Sequence, residues 1–316
     1  MFSTTLFFIL TFFASTLILS GVYGRSLSEL PKKYEETSSQ LKGGKFNGGE
    51  GACPNGSVPI ITTNTNNSFS GLAVQNADTT CIAVVRTNDQ NKKFYGVEGA
   101  PSLNKPKVNG AQWSAARMKL FNGVESIEAG WMVNPTIFKD QEAHFYVRFQ
   151  NGGGGCLNTE CPGFVQVPGG VPLGMTPASY SQYGGQQYTW RLFIDKHQDD
   201  GHWWLSQGDG KSAIGYWPKT LFNGLADHAT QVEWGGEVSN PGSTIPLAEM
   251  GYGQSPKYSS SKSAFFQHVT VVDESLHNVN PDGTEKHWNC AGYTSLDWGY
   301  QGDYWGRLIF YGGPPA

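Results

Sequence analysis

The chain has 316 residues, including 41 Gly and 10 Trp, and only 15% of its residues are charged. Abundant Gly and aromatic residues favour many short strands and tight turns, which argues against a helix bundle. The formal net charge of -4 provides no basic surface, so we expect no nucleic-acid partner.

An uncharged apolar run, Phe7 to Ser20, lies near the start of the chain. Small residues follow it up to Gly24. This pattern predicts a secretory signal peptide over residues 1–24. The run is short for a spanning helix, so we expect a secreted protein without a membrane partner once the signal is removed.

Residues 25–91 differ in composition from the rest and are predicted to form a separate N-terminal segment. Its first part, 26–42, has a thin apolar stripe that predicts one short amphipathic helix. An Asn/Thr-rich stretch follows, with glycosylation sequons at Asn55 and Asn66. The polar run 88–93 is predicted to be an exposed linker or processing site.

Residues 92–316 show short aromatic or β-branched runs between turn signals. Strict alternation, as in His144 to Phe149, is typical of antiparallel strands and predicts an all-β sandwich or barrel. Only Lys219 to His228 has a brief helical pattern. The strand candidates here are 127–133, 144–149, 164–167, 188–195, 203–207, 213–217, 230–239, 264–273 and 304–311.

Five cysteines in a secreted chain are disulfide candidates first. Cys156 and Cys161 are close enough to close a small loop, and Cys53 could pair with Cys81. Cys290 is then left without a partner. Since no C-x-x-C spacing occurs, we expect no metal site, and we expect no cofactor.

Two segments share an arrangement that suggests chemistry. In 230–240, alternation places Trp234 on the core face, and Glu237 and Gly235 on the other face. In 126–135, Glu128 and Gly130 lie likewise opposite a core-facing Trp. The two glutamates are either solvated surface residues or a pair facing each other across a groove.

A facing pair would suit hydrolysis by water. Repulsion between like charges raises the pKa of one partner, so a carboxylate base and a carboxylic acid coexist. The base takes a proton from water, and the acid donates one to the leaving group or stabilises the oxyanion.

Several blocks of the chain carry a resemblance to a known family. They are SIEAGWMVNPTIFKD (126–140), GCLNTECPGFVQV (155–167), HWWLSQG (202–208), IGYWPKTLFNGLADHATQVEWGGEV (214–238) and WGRLIFYGGP (305–314). In sequence, order and spacing they resemble the neprosin family of plant secreted proteins, from about Phe94 to the C-terminus. Part of the N-terminal segment resembles the propeptide of that family more loosely.

The resemblance implies a sandwich of two antiparallel sheets with a small helical or irregular propeptide segment, and secretion as a zymogen. It implies a glutamic peptidase with Glu128 and Glu237 as catalytic residues, which cleaves peptides or proteins after proline and favours acidic pH. The sequence departs from the family after Tyr146, where Arg148 to Asn151 and four glycines follow. This departure affects a candidate substrate-facing loop.

We expect Tyr146, Gly130, Gly235 and Trp217 to line the substrate cleft of a monomeric enzyme. Trp131 and Trp234 are expected in the core by alternation. Two other functions remain open: a glycosidase or carbohydrate-binding sandwich, since paired carboxylates and aromatic platforms also suit sugars, and a non-catalytic extracellular protein that keeps the scaffold.

Overall fold

The computed structural model describes residues 34–36, 80–89, 91–209, 211–242 and 246–314. The predicted signal peptide, Cys53 and the sequons at Asn55 and Asn66 lie outside these residues. Within the described ranges, no helix has the length and apolar character needed to cross a membrane.

Strands dominate the described chain, and we number them in chain order. They are β1 Tyr34–Glu36, β2 Thr80–Thr87, β3 Gly96–Pro101, β4 Trp113–Asn122, β5 Glu125–Val133, β6 Ala143–Asn151, β7 Gly155–Leu157, β8 Val165–Gln166, β9 Gln187–Thr189, β10 Leu192–Lys196, β11 Trp203–Gln207, β12 Ser212–Trp217, β13 Gln231–Ser239, β14 Ala264–Val272, β15 Asn278–Val279, β16 Thr284–Trp288, β17 Thr294–Tyr300 and β18 Arg307–Gly312.

Two antiparallel sheets contain almost all of these strands. The first has the spatial order β16-β2-β13-β4-β5-β6-β7. The second has the order β17-β18-β14-β3-β10-β11-β12-β8, with β15 paired to β14. The predicted antiparallel sandwich is confirmed.

The core lies between the two sheets and is rich in aromatic side chains. Trp131, Phe145 and Trp190 pack on one another there. Trp234 of the first sheet donates its indole N–H to the backbone oxygen of Glu98 in the second, at 2.9 Å. Trp131 and Trp234 therefore lie in the core, as alternation predicts.

Helical structure in the described residues is limited to short turns. One is the helix α1, Pro135–Phe138, whose N-cap Asn134 accepts hydrogen bonds from two backbone amides. The predicted helix over 219–228 is wrong beyond a 3-10 turn at Lys219–Leu221. The amides of Asn223 and Leu225 donate to the Glu125 carboxylate, so a side chain satisfies them in place of helical carbonyls.

The N-terminal helix predicted over 26–42 is described only at Tyr34–Glu36. This piece is a strand, which pairs in parallel with β9. The rest of the predicted helix lies outside the described residues.

The disulfides correct one of the two predicted pairings. Cys156 pairs with Cys161, as predicted from their spacing. Cys81 pairs with Cys290, so its predicted pairing with Cys53 is wrong, and Cys290 is not left over. The reason is topological: β16 runs alongside β2, which brings the chain after β16 back to Cys81.

The strand β2 lies before the domain boundary predicted at 91/92. This strand lies between β13 and β16 and is hydrogen-bonded to both. Residues 80–87 are therefore a strand of the first sheet.

Candidate active site

Glu128 and Glu237 lie on the same face of the first sheet, the face away from the core. Glu128 is on β5 and Glu237 is on β13, with β4 between them. In register, Lys119 of β4 is opposite Glu128, and Ala115 of β4 is opposite Glu237. Both glutamates are buried, at 1% and 6% exposure, so they are not solvated surface residues.

Arg148 of β6 connects the two carboxylates. Its Nη2 atom lies 2.9 Å from Glu128 Oε1 and 3.0 Å from Glu237 Oε1. Because one nitrogen reaches both groups, the glutamates are close neighbours across the intervening strand. Together the three side chains form the centre of the candidate site.

Two further cations come from β4. Lys119 Nζ lies 3.1 Å from Glu128 Oε2. Arg117 pairs through Nε with Glu237, and through Nη1 with Glu233 at 3.0 Å. We call the set Arg117, Lys119, Glu128, Arg148, Glu233 and Glu237 the charged cluster. Its three cations balance its three carboxylates when all six groups are ionised.

These cations hold both glutamates in the ionised form. Burial by itself raises the pKa of Glu128, but Arg148 and Lys119 outweigh it and the pKa lies below its usual value. Burial likewise opposes ionisation of Glu237, and Arg117 and Arg148 lower its pKa well below the usual range. The expected rise in the pKa of one partner is therefore wrong, because attraction to the cations exceeds repulsion within the pair.

Tyr146, which is predicted to line the cleft, lies beside Glu128. It is on β6, fully buried, and its hydroxyl donates to Glu128 Oε1 at 2.9 Å. Burial and the charge of Glu128 raise the pKa of Tyr146 well above 10, so the phenol stays neutral. The ring of Trp113 lies 5.9 Å from the Arg148 guanidinium carbon.

Gly130 and Gly235 flank Arg117 in the register of the sheet. A Cβ atom on Gly130 would lie 1.9 Å from the backbone oxygen of Ala116. Gly235 has φ 151, and a Cβ atom there would lie 2.3 Å from the backbone oxygen of Ala83. Both glycines therefore allow close strand packing, and neither register position beside Arg117 carries a side chain.

Trp217 is not at this site. It lies on β12 of the second sheet, is fully buried in the core, and packs edge-on against Phe164 at 4.8 Å. The prediction that it lines the cleft is corrected, because its strand is on the opposite layer of the sandwich.

Four members of the charged cluster are not predicted as site residues from the sequence: Arg117, Lys119, Arg148 and Glu233. The signal was present: Arg117 and Lys119 alternate with Met118 and Leu120, which are fully buried in the core. Within the described ranges, no group of three or more His, Cys, Asp or Glu residues is placed to hold a metal ion.

Comparison with known proteins gives one family and several similar structures. The family model described as Neprosin matches residues 110–314. Two crystal structures of Scytalido-glutamic peptidase, one with a peptide-based transition state analog and one with a transition state analog inhibitor, are each 8% identical. They align with 75% of this chain and 99% of theirs, with TM-scores of 0.42 and 0.43. SCP-B, a member of the Eqolisin family of peptidases in complex with the tripeptide Ala-Ile-His, is also 8% identical. That alignment covers 75% of this chain and 98% of the other, with a TM-score of 0.39.

Proposed function

The chain belongs to the neprosin family, and from this premise we propose that it is a secreted glutamic peptidase that hydrolyses peptide bonds with Glu128, Glu237 and a water molecule. The observation that carries the proposal is the convergence of both buried carboxylates on the single nitrogen Nη2 of Arg148. A water bound between such carboxylates can lose a proton to one of them as it attacks a peptide carbonyl.

The family resemblance supports cleavage after proline, activity at acidic pH and secretion as a zymogen. The lowered pKa of both glutamates suits acidic activity, because a general base has to stay ionised when the pH falls. Tyr146 and the sheet face at Gly130 and Gly235 are the proposed substrate-facing surface.

A glycosidase is less well supported. Glycosidases need one protonated carboxyl group to protonate the leaving oxygen. Here three cations keep Glu128 and Glu237 ionised. Peptide hydrolysis, whose oxyanion can be stabilised by a cation, suits this charge state better.

The proposal is tested with Glu128→Gln and Glu237→Gln on a peptide that contains proline and on its proline-free counterpart, at acidic pH. We expect each variant to keep the fold and to lose roughly a hundredfold to ten-thousandfold in kcat, the range for loss of acid–base catalysis. Glu285→Gln, which changes an exposed ion pair with Arg86, is the matched control and should keep full activity.

Near-normal turnover in both single variants would contradict the assignment of the two glutamates. An inactive wild-type protein with a processed N-terminus would favour the non-catalytic alternative. Hydrolysis of wall polysaccharides without hydrolysis of either peptide would favour the glycosidase.

A further inference from the structure

We propose that Arg148 is a third catalytic residue, whose guanidinium binds the carbonyl oxygen of the scissile peptide bond and stabilises the oxyanion. This inference rests on the proposed peptidase function. In a two-glutamate mechanism, a protonated carboxyl group stabilises the oxyanion. Here the permanently charged guanidinium of Arg148 has that role.

The position of Arg148 is the first argument. Its Nη2 atom is the point where Glu128 and Glu237 meet, so any carbonyl that reaches an attacking water there also reaches the guanidinium. Its side chain is 13% exposed, which is the largest exposure in the charged cluster. A substrate approaching the cluster therefore encounters Arg148 before it reaches the carboxylates.

The charge balance of the cluster is the second argument. Glu128 faces Arg148 from β5, Glu237 and Glu233 come from β13, Arg117 and Lys119 from β4, and Tyr146 from its own strand. Protonating one glutamate would leave a buried excess of positive charge, which is unfavourable. A guanidinium needs no such proton, since it stays charged at any pH used by the enzyme.

The hydrogen-bond capacity of Arg148 is the third argument. Within the described chain, its ion pairs with both glutamates run through Nη2. A guanidinium carries five N–H donors, so Nε and Nη1 supply further donors for a substrate oxygen. Charge-assisted hydrogen bonds of this type are among the stronger ones available to an oxyanion.

The two glutamates then have different roles. Glu128 accepts contacts from Arg148, Lys119 and Tyr146 over its two oxygens. Glu237 pairs with Arg117 through Oε2 and with Arg148 through Oε1. Since a carboxylate can accept about four hydrogen bonds, Glu237 has more capacity left for a water. It is the general base, and Glu128 positions Arg148.

The reaction balances without a free acid at the start. Water oxygen attacks the carbonyl carbon, Glu237 takes the water proton, and the carbonyl π pair moves onto the oxygen bound by Arg148. That electron pair then re-forms the C=O bond as the C–N bond breaks. The proton on Glu237 passes to the leaving nitrogen, which yields a carboxylic acid and an amine and returns Glu237 to its ionised form.

The test measures kcat and KM between pH 3 and 8 for the wild type, Arg148→Gln and Arg148→Lys on one peptide that the wild type cleaves. We expect wild-type kcat to hold from pH 5 to pH 7, instead of falling towards neutral pH as the family resemblance implies, because no carboxylic acid has to stay protonated. Arg148→Gln should lose roughly a hundredfold to a thousandfold in kcat at pH 7, the range for loss of an oxyanion donor, with KM little changed. Arg148→Lys should recover part of this loss.

The residual activity of Arg148→Gln should be confined to low pH. Without the guanidinium, repulsion between the glutamates favours a proton on one of them, which restores an acid. Arg86→Gln, at an exposed ion pair, is the matched control and should behave as the wild type. Circular dichroism of each variant checks the fold, and Arg148→Lys retains the charge if Arg148→Gln proves unstable.

Two results would overturn the inference. If Arg148→Gln is as active as the wild type at pH 7, or more active, Arg148 only covers the glutamates. If wild-type kcat falls steeply between pH 5 and 7, a protonated carboxyl is the electrophile. Failure of the proposed function has a separate signature, since Glu237→Gln would then retain near-normal turnover or the wild type would cleave no peptide.

Discussion

Arg117 is the most deeply buried cation of the charged cluster. The net stability that its ion pairs provide is not the same as the stability lost when Arg117 alone is removed. Its side chain is 2% exposed and lies between Glu233 and Glu237. Burying such ions costs desolvation energy that offsets most or all of their mutual attraction, so the intact cluster adds little net stability. Removing one partner is different, because it leaves the opposite charges buried without compensation.

We therefore expect Arg117→Met to lower the free energy of unfolding by about 3–5 kcal/mol. Arg86→Met is the matched control, since the Arg86–Glu285 pair is exposed and is worth about 1 kcal/mol or less. Urea denaturation followed by Trp fluorescence measures both. Equal losses in the two variants would contradict the account of a buried, compensated cluster.

The same cluster makes stability depend on pH. The pKa of Glu237 is lower in the folded protein than its ordinary value of 4.5. Its contribution is present above the unfolded pKa and is lost as the pH falls towards the folded pKa. We expect the midpoint of urea unfolding to fall as the pH is lowered from about 5 to about 2.

The control for this pH dependence is Glu237→Gln, which should show a shallower decline over the same range because it lacks that titrating group. The comparison uses the slope of the urea midpoint against pH for each protein. The absolute stabilities are not compared, since the substitution also leaves Arg117 and Arg148 with one carboxylate fewer. Parallel slopes for the two proteins would contradict the role of Glu237.

The sequence predicts the carboxylates of this site better than its cations. Glu128 and Glu237 are recognisable because each sits beside a Gly and opposite a core Trp in a strongly alternating strand. Arg148 stands out only as a departure from the family. A charged residue on a strand ordinarily indicates a solvated face, and only tertiary contacts show that this face is covered.

Among the strands, β4 determines the geometry of the site, yet its sequence does not predict a strand. It lies between β5 and β13, so it sets the distance between the two glutamates and contributes Arg117 and Lys119. Its sequence, WSAARMKLFN, contains two Ala and one Lys, residue types that are depleted in strands. Pairing on both sides overrides that propensity, whereas the β-branched and aromatic strands β5, β6 and β13 are predictable from sequence.

The two disulfides differ in how much of the chain they enclose. Cys81–Cys290 spans 209 positions and fastens β2 to the chain after β16, whereas Cys156–Cys161 spans only 5. Cross-linking constrains the unfolded chain more when the loop is longer. We expect Cys81→Ser with Cys290→Ser to cost about 4–5 kcal/mol, and Cys156→Ser with Cys161→Ser to cost roughly 2 kcal/mol.

Urea unfolding of both double variants without reductant measures this difference. Replacing both partners avoids leaving one cysteine of the broken disulfide as an unpaired thiol. A larger loss of unfolding free energy for the Cys156/Cys161 variant would contradict the chain-entropy explanation. It would show that the short disulfide acts mainly through packing in the native state.

The first sheet of the sandwich combines strands that are far apart in the sequence. β2 lies between β13, which carries Glu237, and β16 near the C-terminus. No pattern local to 80–87 reveals such a pairing, because the paired residues are 147 to 205 positions away in sequence, from Arg86–Glu233 to Ala83–Trp288. This is why the predicted boundary at 91/92 placed the strand outside the domain.

The Cys81–Cys290 disulfide determines what happens when the chain is cut between β2 and β3. Lys92 and Lys93 are exposed there, so trypsin can cleave the full-length protein at this point. We expect the nicked protein to run as one species on a non-reducing denaturing gel and as two fragments after reduction, because Cys81–Cys290 holds β2 to the rest. The Cys81→Ser, Cys290→Ser variant should separate without reductant. Separation of the nicked wild type under non-reducing conditions would contradict the pairing. If the pairing holds, a cut at 88–93 cannot release the N-terminal segment. The proposed zymogen would then have to be cleaved before Thr80, which N-terminal sequencing of the processed protein would show.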